Sequence, residues 1–412
     1  MPFNIAIIGA GPVGLTLAHL LLKTPSTITV TIFERDASPS SRTTKGGTLD
    51  LHADTGLAAL DAAGLRPAFD RVARYDPRSG GVVIADRHGK RVFTMPVDEG
   101  RENTRPEIDR EDLKALLLDA LPEGIVRWGA HVSGISASGQ LLFHDDAPKP
   151  ETETEAETGR YDLVVGADGA WSKVRAHITD TKPVFSGLSG WEMHVPTPDA
   201  THPEINITRE VGHGLYFALG GGRALVGQRL GSGAIMLYAM VRGASPEALK
   251  DTLAACGGDL GRVRERVRGA YEAEGWAREL CAWMDAAEPS TMRGWPLYEY
   301  ALPDGHVWAH RRGWTLVGDA AHVMTPFAGE GVNAGMRDAL ELAKRISVVA
   351  ERQGTEEALD EAVKEYEEEM FARLRPVMKA TFDNKESMFN VKAPESFLGR
   401  IKEITGGLPP RQ

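Results

Sequence analysis

The sequence predicts an α/β protein of two domains, in which a discontinuous domain with a parallel sheet is interrupted by a domain with an antiparallel sheet. Three observations carry this prediction. A buried strand, a glycine turn, an apolar helix and a second strand follow one another over residues 3–34. Two further buried strands, 161–168 and 315–319, each end at an aspartate. Between them, over 183–303, apolar and polar residues alternate as in an antiparallel sheet with one buried face.

The glycine turn at 9–14 reads GAGPVG and has the spacing G-x-G-x-x-G. Gly9 permits the tight turn, Gly11 lets the backbone approach a pyrophosphate, and Gly14 lets the helix pack closely on the strand. The N-terminus of the helix offers N–H groups and a positive dipole end to phosphates. Glu34 stands where a carboxylate can accept hydrogen bonds from a ribose 2′-OH. Because all these elements are in register, the stretch predicts a Rossmann-like dinucleotide-binding unit.

Length and charge exclude several classes of protein. The 412 residues exceed one ordinary domain, and 47 basic against 58 acidic residues give a net charge of −11. Such a charge disfavours nucleic acid and anionic membranes as partners, and no apolar run is long enough for a membrane span. A strand starting at residue 3 leaves no room for a signal peptide, and two cysteines fit a reducing compartment. We therefore expect a cytoplasmic, monomeric protein.

Polar and charged residues follow the second strand. The stretch 36–45 is rich in Ser, Arg and Thr, which is typical of a surface loop. Arg35, Arg42 and Lys45 could steer a phosphorylated cofactor or could be solvated charges, and the sequence favours neither interpretation. Arg110 opens a predicted helix, where it could turn toward a cofactor or pair with a neighbouring acid. Asp168 ends a buried strand, at the position where open α/β sheets bind ligands.

Four alternating segments predict the strands of the second domain. These segments are 205–210, 214–219, 223–229 and 234–241. A helical insertion over 245–287 interrupts the pattern. The three glycines at 220–222 join two strands and open no helix, so they predict a turn and not a second nucleotide site.

A long helix over 356–389 closes the chain, with apolar residues at spacings of three and four and a kink expected at Pro376. The predicted domains follow from these elements. They are a discontinuous nucleotide-binding domain at 1–180 and 304–354, a second domain at 181–303, and a bridging C-terminal helix with its tail at 355–412.

Five stretches together resemble the single-component FAD-dependent aromatic monooxygenases (class A), and within them the tetracycline-inactivating flavin monooxygenases. The stretches are 46–52, 106–118, 162–175, 318–339 and 357–371. The resemblance spans nearly the whole chain. It implies that the first domain binds FAD and that the antiparallel sheet of the second domain binds the substrate.

Carried over residue by residue, the resemblance makes Glu34 the ligand of the adenosine ribose and Asp319 the ligand of the ribitol. Residues 326–333 would line the isoalloxazine ring, and Arg42 would contact NADPH. Asp168 differs from the uncharged residue of the tetracycline-inactivating enzymes but matches the broader hydroxylase pattern. The expected cofactor contacts are Gly9, Gly11, Gly14, Glu34, Arg35, Arg42, Asp50, Arg110, Asp168, Asp319, Pro326, Gly329, Gly331, Val332 and Asn333.

The same resemblance implies a set of substrate contacts. Arg223 matches a substrate-contacting arginine, although a structural salt bridge is the other interpretation of this residue. Glu192 stands where a glutamine is expected and Met236 where a histidine is expected, so the substrate need not be tetracycline. The expected contacts are Glu192, Arg223, Met236, Pro326, Asn384 and Met388.

The chemistry that the resemblance implies belongs to the cofactor. NADPH reduces the flavin, O₂ adds to give a flavin hydroperoxide, and this species hydroxylates a phenolic or polycyclic, tetracycline-like or polyketide-like substrate. The protein has to position the substrate and exclude water, so no catalytic side chain is expected. Two alternatives stay open: a non-enzymatic flavoprotein that binds a ligand, and a two-component enzyme that receives reduced flavin from a partner reductase.

Three histidines in the last part of the first domain are candidates for other chemistry. His306 and His310 are four residues apart, but no third ligand of suitable spacing follows, so no metal site is expected. His322 lies close to Asp319 and could act in acid–base catalysis, although a histidine after a buried strand is more often structural.

Overall fold

The computed structural model describes residues 2–23, 28–39, 41, 46–95, 103–144, 161–196 and 205–405. Its strands, in chain order, are β1 Phe3–Ile8, β2 Ile28–Glu34, β3 Thr48–Asp50, β4 Val82–Asp86, β5 Arg91–Thr94, β6 Glu107–Asp109, β7 Val126–Trp128, β8 Val132–Ile135, β9 Leu141–Phe143, β10 Leu163–Gly166, β11 Val184–Val195, β12 Leu215–Gly220, β13 Arg223–Arg229, β14 Ile235–Arg242, β15 Glu288–Glu299 and β16 Trp314–Leu316. Its helices are α1 Pro12–Leu22, α2 Ala58–Ala63, α3 Arg66–Phe69, α4 Arg110–Asp119, α5 Lys173–Ile178, α6 Ile207–Val211, α7 Pro246–Ala255, α8 Leu260–Ala273, α9 Arg278–Asp285, α10 Asp319–His322, α11 Gly331–Glu351, α12 Glu356–Met388 and α13 Glu395–Thr405.

The chain divides into two compact units. The first unit holds 1–73, 110–184 and 298–380, and the second holds 74–109, 185–297 and 381–412. The predicted mixed α/β fold class is confirmed. None of the described helices is long and apolar enough to cross a membrane.

The first unit is built on a parallel sheet with the order β16-β10-β1-β2-β7. Its central strands are almost entirely apolar and buried on both faces, as parallel strands covered by helices require. The carboxyl ends of β1, β10 and β16 therefore lie side by side. The glycine turn, Asp168 and Asp319 follow these three ends.

The second unit is built on a larger sheet with the order β15-β11-β14-β13-β12-β4-β5. β11, β14, β13 and β12 pair antiparallel, whereas β12 pairs parallel with β4. One face of this sheet packs against α7, α8 and α9 in a continuous apolar core. We call it the helix-covered face and the other the opposite face.

Two features of the second unit differ from the sequence-based prediction. Residues 205–210 were predicted as a strand, but the chain forms the helix α6, which buries Ile207 and Val211 four residues apart on one side. Residues 74–109 were predicted to belong with the first domain. They belong to the second unit because β4 pairs with β12.

The last long helix agrees with its prediction in extent. α12 runs without interruption from Glu356 to Met388 with Pro376 inside it. The boundary between the two units falls after Ala380, so 381–388 belong to the second unit. The predicted division at residue 355 is therefore not where the structure divides the chain.

Candidate functional site

The glycine turn after β1 has the conformation that its spacing predicts. Gly9 has φ of +110°, and a Cβ atom there would lie 2.4 Å from the carbonyl oxygen of Ala167. A Cβ atom on Gly14 would lie 2.2 Å from the carbonyl oxygen of Gly9. In contrast, a Cβ atom on Gly11 would meet no described protein atom within 4 Å. Protein packing thus explains two of the glycines, whereas Gly11 leaves the space that a pyrophosphate needs.

Glu34 ends β2 beside this turn, and its side chain is buried. One carboxylate oxygen accepts a hydrogen bond from the N–H of Ala10 at 2.7 Å, and the other accepts one from the N–H of Asp36 at 3.0 Å. These two bonds fix the carboxylate next to the glycine turn. Each oxygen has a second lone pair, so Glu34 can still accept a ribose hydroxyl.

Asp319 and Arg110 keep their charged groups available. Asp319 begins α10 three residues after the end of β16, and its side chain is exposed. Arg110 begins α4, and its aliphatic part lies against Gly46, where a Cβ atom would approach the Arg110 Cδ to 2.8 Å. Within the described ranges, neither charged group takes part in a hydrogen bond or ion pair. An acceptor for hydroxyls and a donor for phosphate oxygens are therefore free for a ligand.

The glycine-rich loop before α11 exposes its backbone. Pro326–Ala328 form one turn of 3₁₀ helix, Gly329 has φ of +70°, and α11 begins at Gly331. Pro326 and Gly329 are exposed, and Gly331 and Val332 are half-buried. The first N–H groups of a long helix thus lie among exposed and half-buried residues, which suits an electron-rich oxygen or ring edge.

Asn333 serves the protein's own structure with its side chain. It is fully buried, and its Oδ1 atom accepts hydrogen bonds from the N–H of His52 at 2.9 Å and the hydroxyl of Thr55 at 3.0 Å. Its Nδ2 atom donates to the carbonyl oxygen of Asp50 at 2.8 Å. Asn333 therefore fastens the segment after β3 to α11, and a contact to a cofactor is left to its backbone.

Asp50 lies beside the glycine-rich loop and is partly exposed. Its carboxylate is 2.9 Å from Nε2 of His52, and Nδ1 of the same ring is 3.6 Å from a carboxylate oxygen of Glu330. A histidine thus stands between two carboxylates where Asp50 and the loop meet. The sequence-based prediction named Asp50 but missed His52, although both lie in the same short motif.

Asp168 stabilises the start of α5. Its Oδ2 atom accepts a hydrogen bond from the N–H of Lys173 at 2.7 Å, which caps the helix. Burial raises the pKa of Asp168, although this hydrogen bond acts in the other direction. The structure gives the residue a local role that does not depend on a cofactor. Arg35 lies exposed after β2, whereas Arg42 lies outside the described residues.

Arg175, on α5, holds the segment around α10 in place. Its guanidinium donates to the carbonyl oxygens of Ala321 and Gly305, each at 2.8 Å, and lies over the ring of Tyr300. Burial lowers the pKa of Arg175 to about 10. This arginine was not predicted as a structural residue.

The three histidines considered for chemistry are buried or engaged. His310 lies 2.7 Å from Glu367 and 3.2 Å from Asp360, and His306 lies 3.1 Å from the carbonyl oxygen of Phe371. His322 is completely buried and lies 2.5 Å from Asp338. Because no atom of His322 reaches the surface, it does not contact a substrate as an acid or base.

In the second unit, Glu192 and Met236 lie on the opposite face of the sheet. Glu192 faces Tyr238 across β11 and β14, and Met236 lies two residues along β14 from Tyr238. Glu192 is buried, and its carboxylate is 2.7 Å from the guanidinium of Arg293 on β15. The Tyr238 ring packs 5.1 Å from that of Trp295. The face therefore combines a neutralised ion pair with two aromatic rings.

Arg223 lies on the helix-covered face, away from Glu192. It stands two residues before Leu225, which belongs to the core under the helices. Its guanidinium is 3.0 Å from the carboxylate of Glu274 and 5.5 Å from the ring centroid of Tyr271 on α8. The structure thus provides the salt bridge that was the other interpretation of Arg223, and it does not bring Arg223 together with Glu192.

Asn384 and Met388 lie on the last turns of α12. Met388 is buried and Asn384 is half-buried. This end of the helix is fastened to the sheet by Glu386, 2.9 Å from Arg242 at the end of β14. Arg242 is six residues, or roughly 20 Å along a strand, from Met236. The end of α12 that carries Asn384 and Met388 is therefore fastened at the end of β14 that is far from Met236.

A parallel sheet whose glycine turn leaves space for a phosphate, with a carboxylate fixed beside it, defines a dinucleotide-binding protein. The chain belongs to the family described as FAD binding domain, whose model matches residues 3–213 and 309–380. Monooxygenase penA of Penicillium thymicola is 32% identical and covers 93% of this chain and 94% of its own length. The protein is thus an FAD-dependent monooxygenase of the aromatic hydroxylase family.

Two solved structures share the fold. HpxO of Klebsiella pneumoniae, complexed with FAD and uric acid, has a TM-score of 0.71 at 19% identity and covers 98% of this chain and 92% of its own. The tetracycline destructase Tet(51) has a TM-score of 0.64 at 18% identity and covers 100% of both chains. The suspected membership in the class A aromatic monooxygenases is confirmed.

Proposed function

We propose that this monooxygenase uses NADPH and O₂ to hydroxylate a phenolic or polycyclic aromatic compound. NADPH, O₂, a proton and the aromatic C–H give NADP⁺, water and the aromatic C–OH. Bound FAD supplies the electron transfer and the activation of oxygen. The first unit is the FAD-binding domain, and the second unit is the substrate domain. The enzyme acts as a cytoplasmic monomer.

The single observation that carries this proposal is the free space at Gly11, and the carboxylate of Asp319, which has no partner among the described residues, supports it. In the proposed complex, the pyrophosphate lies against Gly11, Glu34 accepts the ribose hydroxyl, and Asp319 accepts hydroxyls of the ribitol. Arg110 balances phosphate charge. The backbone of the loop 326–331 contacts the isoalloxazine ring, and the side chain of Asn333 fastens the segment after β3 to α11, the helix that follows this loop.

Direct reduction by NADPH is proposed because the sequence holds a single G-x-G-x-x-G turn, which FAD occupies. A monooxygenase with one such unit takes NADPH transiently. Arg35 and Arg42 are the cations that we propose to attract its phosphates. If a partner reductase supplied reduced flavin instead, neither arginine would be needed for reduction.

The opposite face of the large sheet supports an aromatic substrate. Tyr238 and Trp295 offer ring surfaces there, and aromatic rings favour stacked or edge-on partners. Because Arg293 neutralises Glu192, the face does not repel a phenolate or enolate. The fold is shared with a protein complexed with uric acid and with a tetracycline destructase, which supports a ring system rich in oxygen.

The experiment measures reduction and product separately. The purified full chain with FAD is mixed anaerobically with NADPH and one of three probes (phenol, uric acid or tetracycline), and ¹⁸O₂ is admitted once reduction of the flavin has been recorded. We expect bleaching of the flavin, and ¹⁸O from ¹⁸O₂ in the product of at least one polycyclic probe. No bleaching by NADPH, but turnover with chemically reduced flavin, would favour a two-component enzyme. Bleaching without labelled product from any aromatic probe would contradict the proposed substrate class.

A further inference from the structure

Asp338 is a fully buried carboxylate on α11 with every partner inside the first unit. Its Oδ2 atom lies 2.5 Å from Nε2 of His322 and accepts a hydrogen bond from the N–H of Gly318 at 2.9 Å. Its Oδ1 atom accepts a hydrogen bond from Arg373 on α12 at 2.9 Å. Three separate parts of the chain therefore meet at one carboxylate.

The surroundings keep this carboxylate charged. Burial alone would favour the neutral acid, but His322, Arg373 and the N–H of Gly318 outweigh it and lower the pKa of Asp338. Arg373 is itself held by Glu369 at 2.9 Å on the same helix. The groups that contact Asp338 are thus the side chains of His322 and Arg373 and the backbone N–H of Gly318. A hydrogen bond to a charged group is stronger than one between neutral groups.

Gly318 needs such an anchor because it forms the bend between β16 and α10. Its φ is +61°, and a Cβ atom there would lie 3.2 Å from Val13 on α1. Its carbonyl oxygen accepts hydrogen bonds from the N–H groups of Ala321 and His322 at 2.8 and 2.9 Å. With its N–H held by Asp338, the residue is fixed on both sides, and the next residue along the chain is Asp319.

We infer that Asp338, with His322 and Arg373, is a positioning residue that fixes the direction in which Asp319 points toward the ribitol of FAD. The inference rests on the role of Asp319 in the proposed function. His322 takes part as the buried partner of Asp338, which accounts for a histidine so close to the cofactor motif. Asp338 acts through Gly318 and does not touch the cofactor.

The test measures FAD release from the full chain by equilibrium dialysis, with free FAD read by its fluorescence. Asp338→Asn keeps the shape but places an amide beside the N–H of Gly318, so the bend loses a charged acceptor. We expect FAD affinity to fall roughly ten- to a hundredfold, the range of one charged hydrogen bond. Asp319→Asn should cause a loss of similar size. The double variant should lose much less FAD affinity than the product of the two single fold-losses, because both changes affect the same contact.

Glu367→Gln is the matched control. Glu367 is a buried carboxylate on α12 that binds Thr315 at 2.8 Å and His310 at 2.7 Å, without touching Gly318. We expect it to lower the thermal stability of the full chain while leaving FAD affinity within about twofold of the unchanged protein. If Asp338→Asn does not fold, Arg373→Gln, at the partly exposed end of the cluster, replaces it.

Two results would overturn the inference. One is that Asp338→Asn, or Arg373→Gln in its place, binds FAD as tightly as the unchanged protein. The other is that the losses from Asp338→Asn and Asp319→Asn multiply in the double variant, which would make Asp338 a general structural residue. Failure of Asp319→Asn itself to weaken FAD would instead contradict the proposed role of Asp319.

Discussion

The two units differ in how their predicted site residues are placed. In the first unit, Gly11 and Asp319 follow the ends of β1 and β16, the two strands that flank β10, and stay open to a ligand. In the second unit, Glu192 and Arg223 lie on opposite faces of one sheet. A glycine turn is specified by its own backbone, so spacing alone locates it. The face on which a strand residue lies depends on the register with distant strands, which one sequence does not reveal.

The largest effect is expected in the first unit, where Gly11→Val tests whether the free space is a phosphate site. The variant should fold, because a Cβ atom there meets no described atom within 4 Å, but its side chain would occupy the place of the pyrophosphate. We expect FAD affinity to fall by more than about a hundredfold, measured by flavin content and by dialysis. Thermal unfolding of the flavin-free chain should change little.

Gly134→Val is the control for this substitution. Gly134 lies on β8 in the same unit, and a Cβ atom there also meets no described atom within 4 Å. A β-branched residue suits a strand, so FAD content should stay unchanged. If Gly11→Val retained one FAD per chain, the space at Gly11 would not be the phosphate site.

An intermediate effect is expected on the opposite face of the second unit, where Arg293→Met removes the partner of Glu192. The buried carboxylate would then repel an anionic ring. We expect the KM for a phenolate-forming substrate to rise roughly tenfold, and that for a neutral analogue to change far less. Adding Glu192→Gln should restore the KM, because it removes the remaining charge. Equal changes for both substrates would place the substrate elsewhere.

Much of the fold was predictable from the sequence, but much of the candidate substrate site in the second unit was not. β13 has the predicted bounds, and α12 ends within one residue of its prediction, because both carry regular apolar patterns. Residues 205–210 show a short alternating pattern that a helix also satisfies, and there the prediction was wrong. The partners Arg293 and Glu274 lie far along the chain from the residues they neutralise. No local pattern indicates such pairs.

The sequence also indicates only part of the role of Asp338. The residue stands in a helix with buried neighbours, Met336 and Ala339, and a carboxylate at such a position indicates a paired group. What the sequence does not reveal is the identity of the partners, which come from α10 and α12. The signal was therefore present, but its interpretation required the packing of three helices.

The smallest effect is expected for Arg223→Ala, which tests whether the helix-covered face takes part in substrate binding. Arg223 pairs with Glu274, whose side chain is 56% exposed, and a pair of this kind contributes about 0.2 to 1 kcal/mol to the free energy of unfolding. We expect a loss within that range in urea denaturation, with KM and the ratio of product to NADPH consumed unchanged.

Glu274→Ala should destabilise the protein to a similar degree. The double variant should lose less free energy of unfolding than the sum of the two single losses, because the same pair is removed in each case. A rise in KM for Arg223→Ala but not for Glu274→Ala would contradict this assignment and return the arginine to the substrate. If both variants keep the KM of the unchanged protein, substrate recognition in the second unit is confined to the opposite face, which carries Glu192.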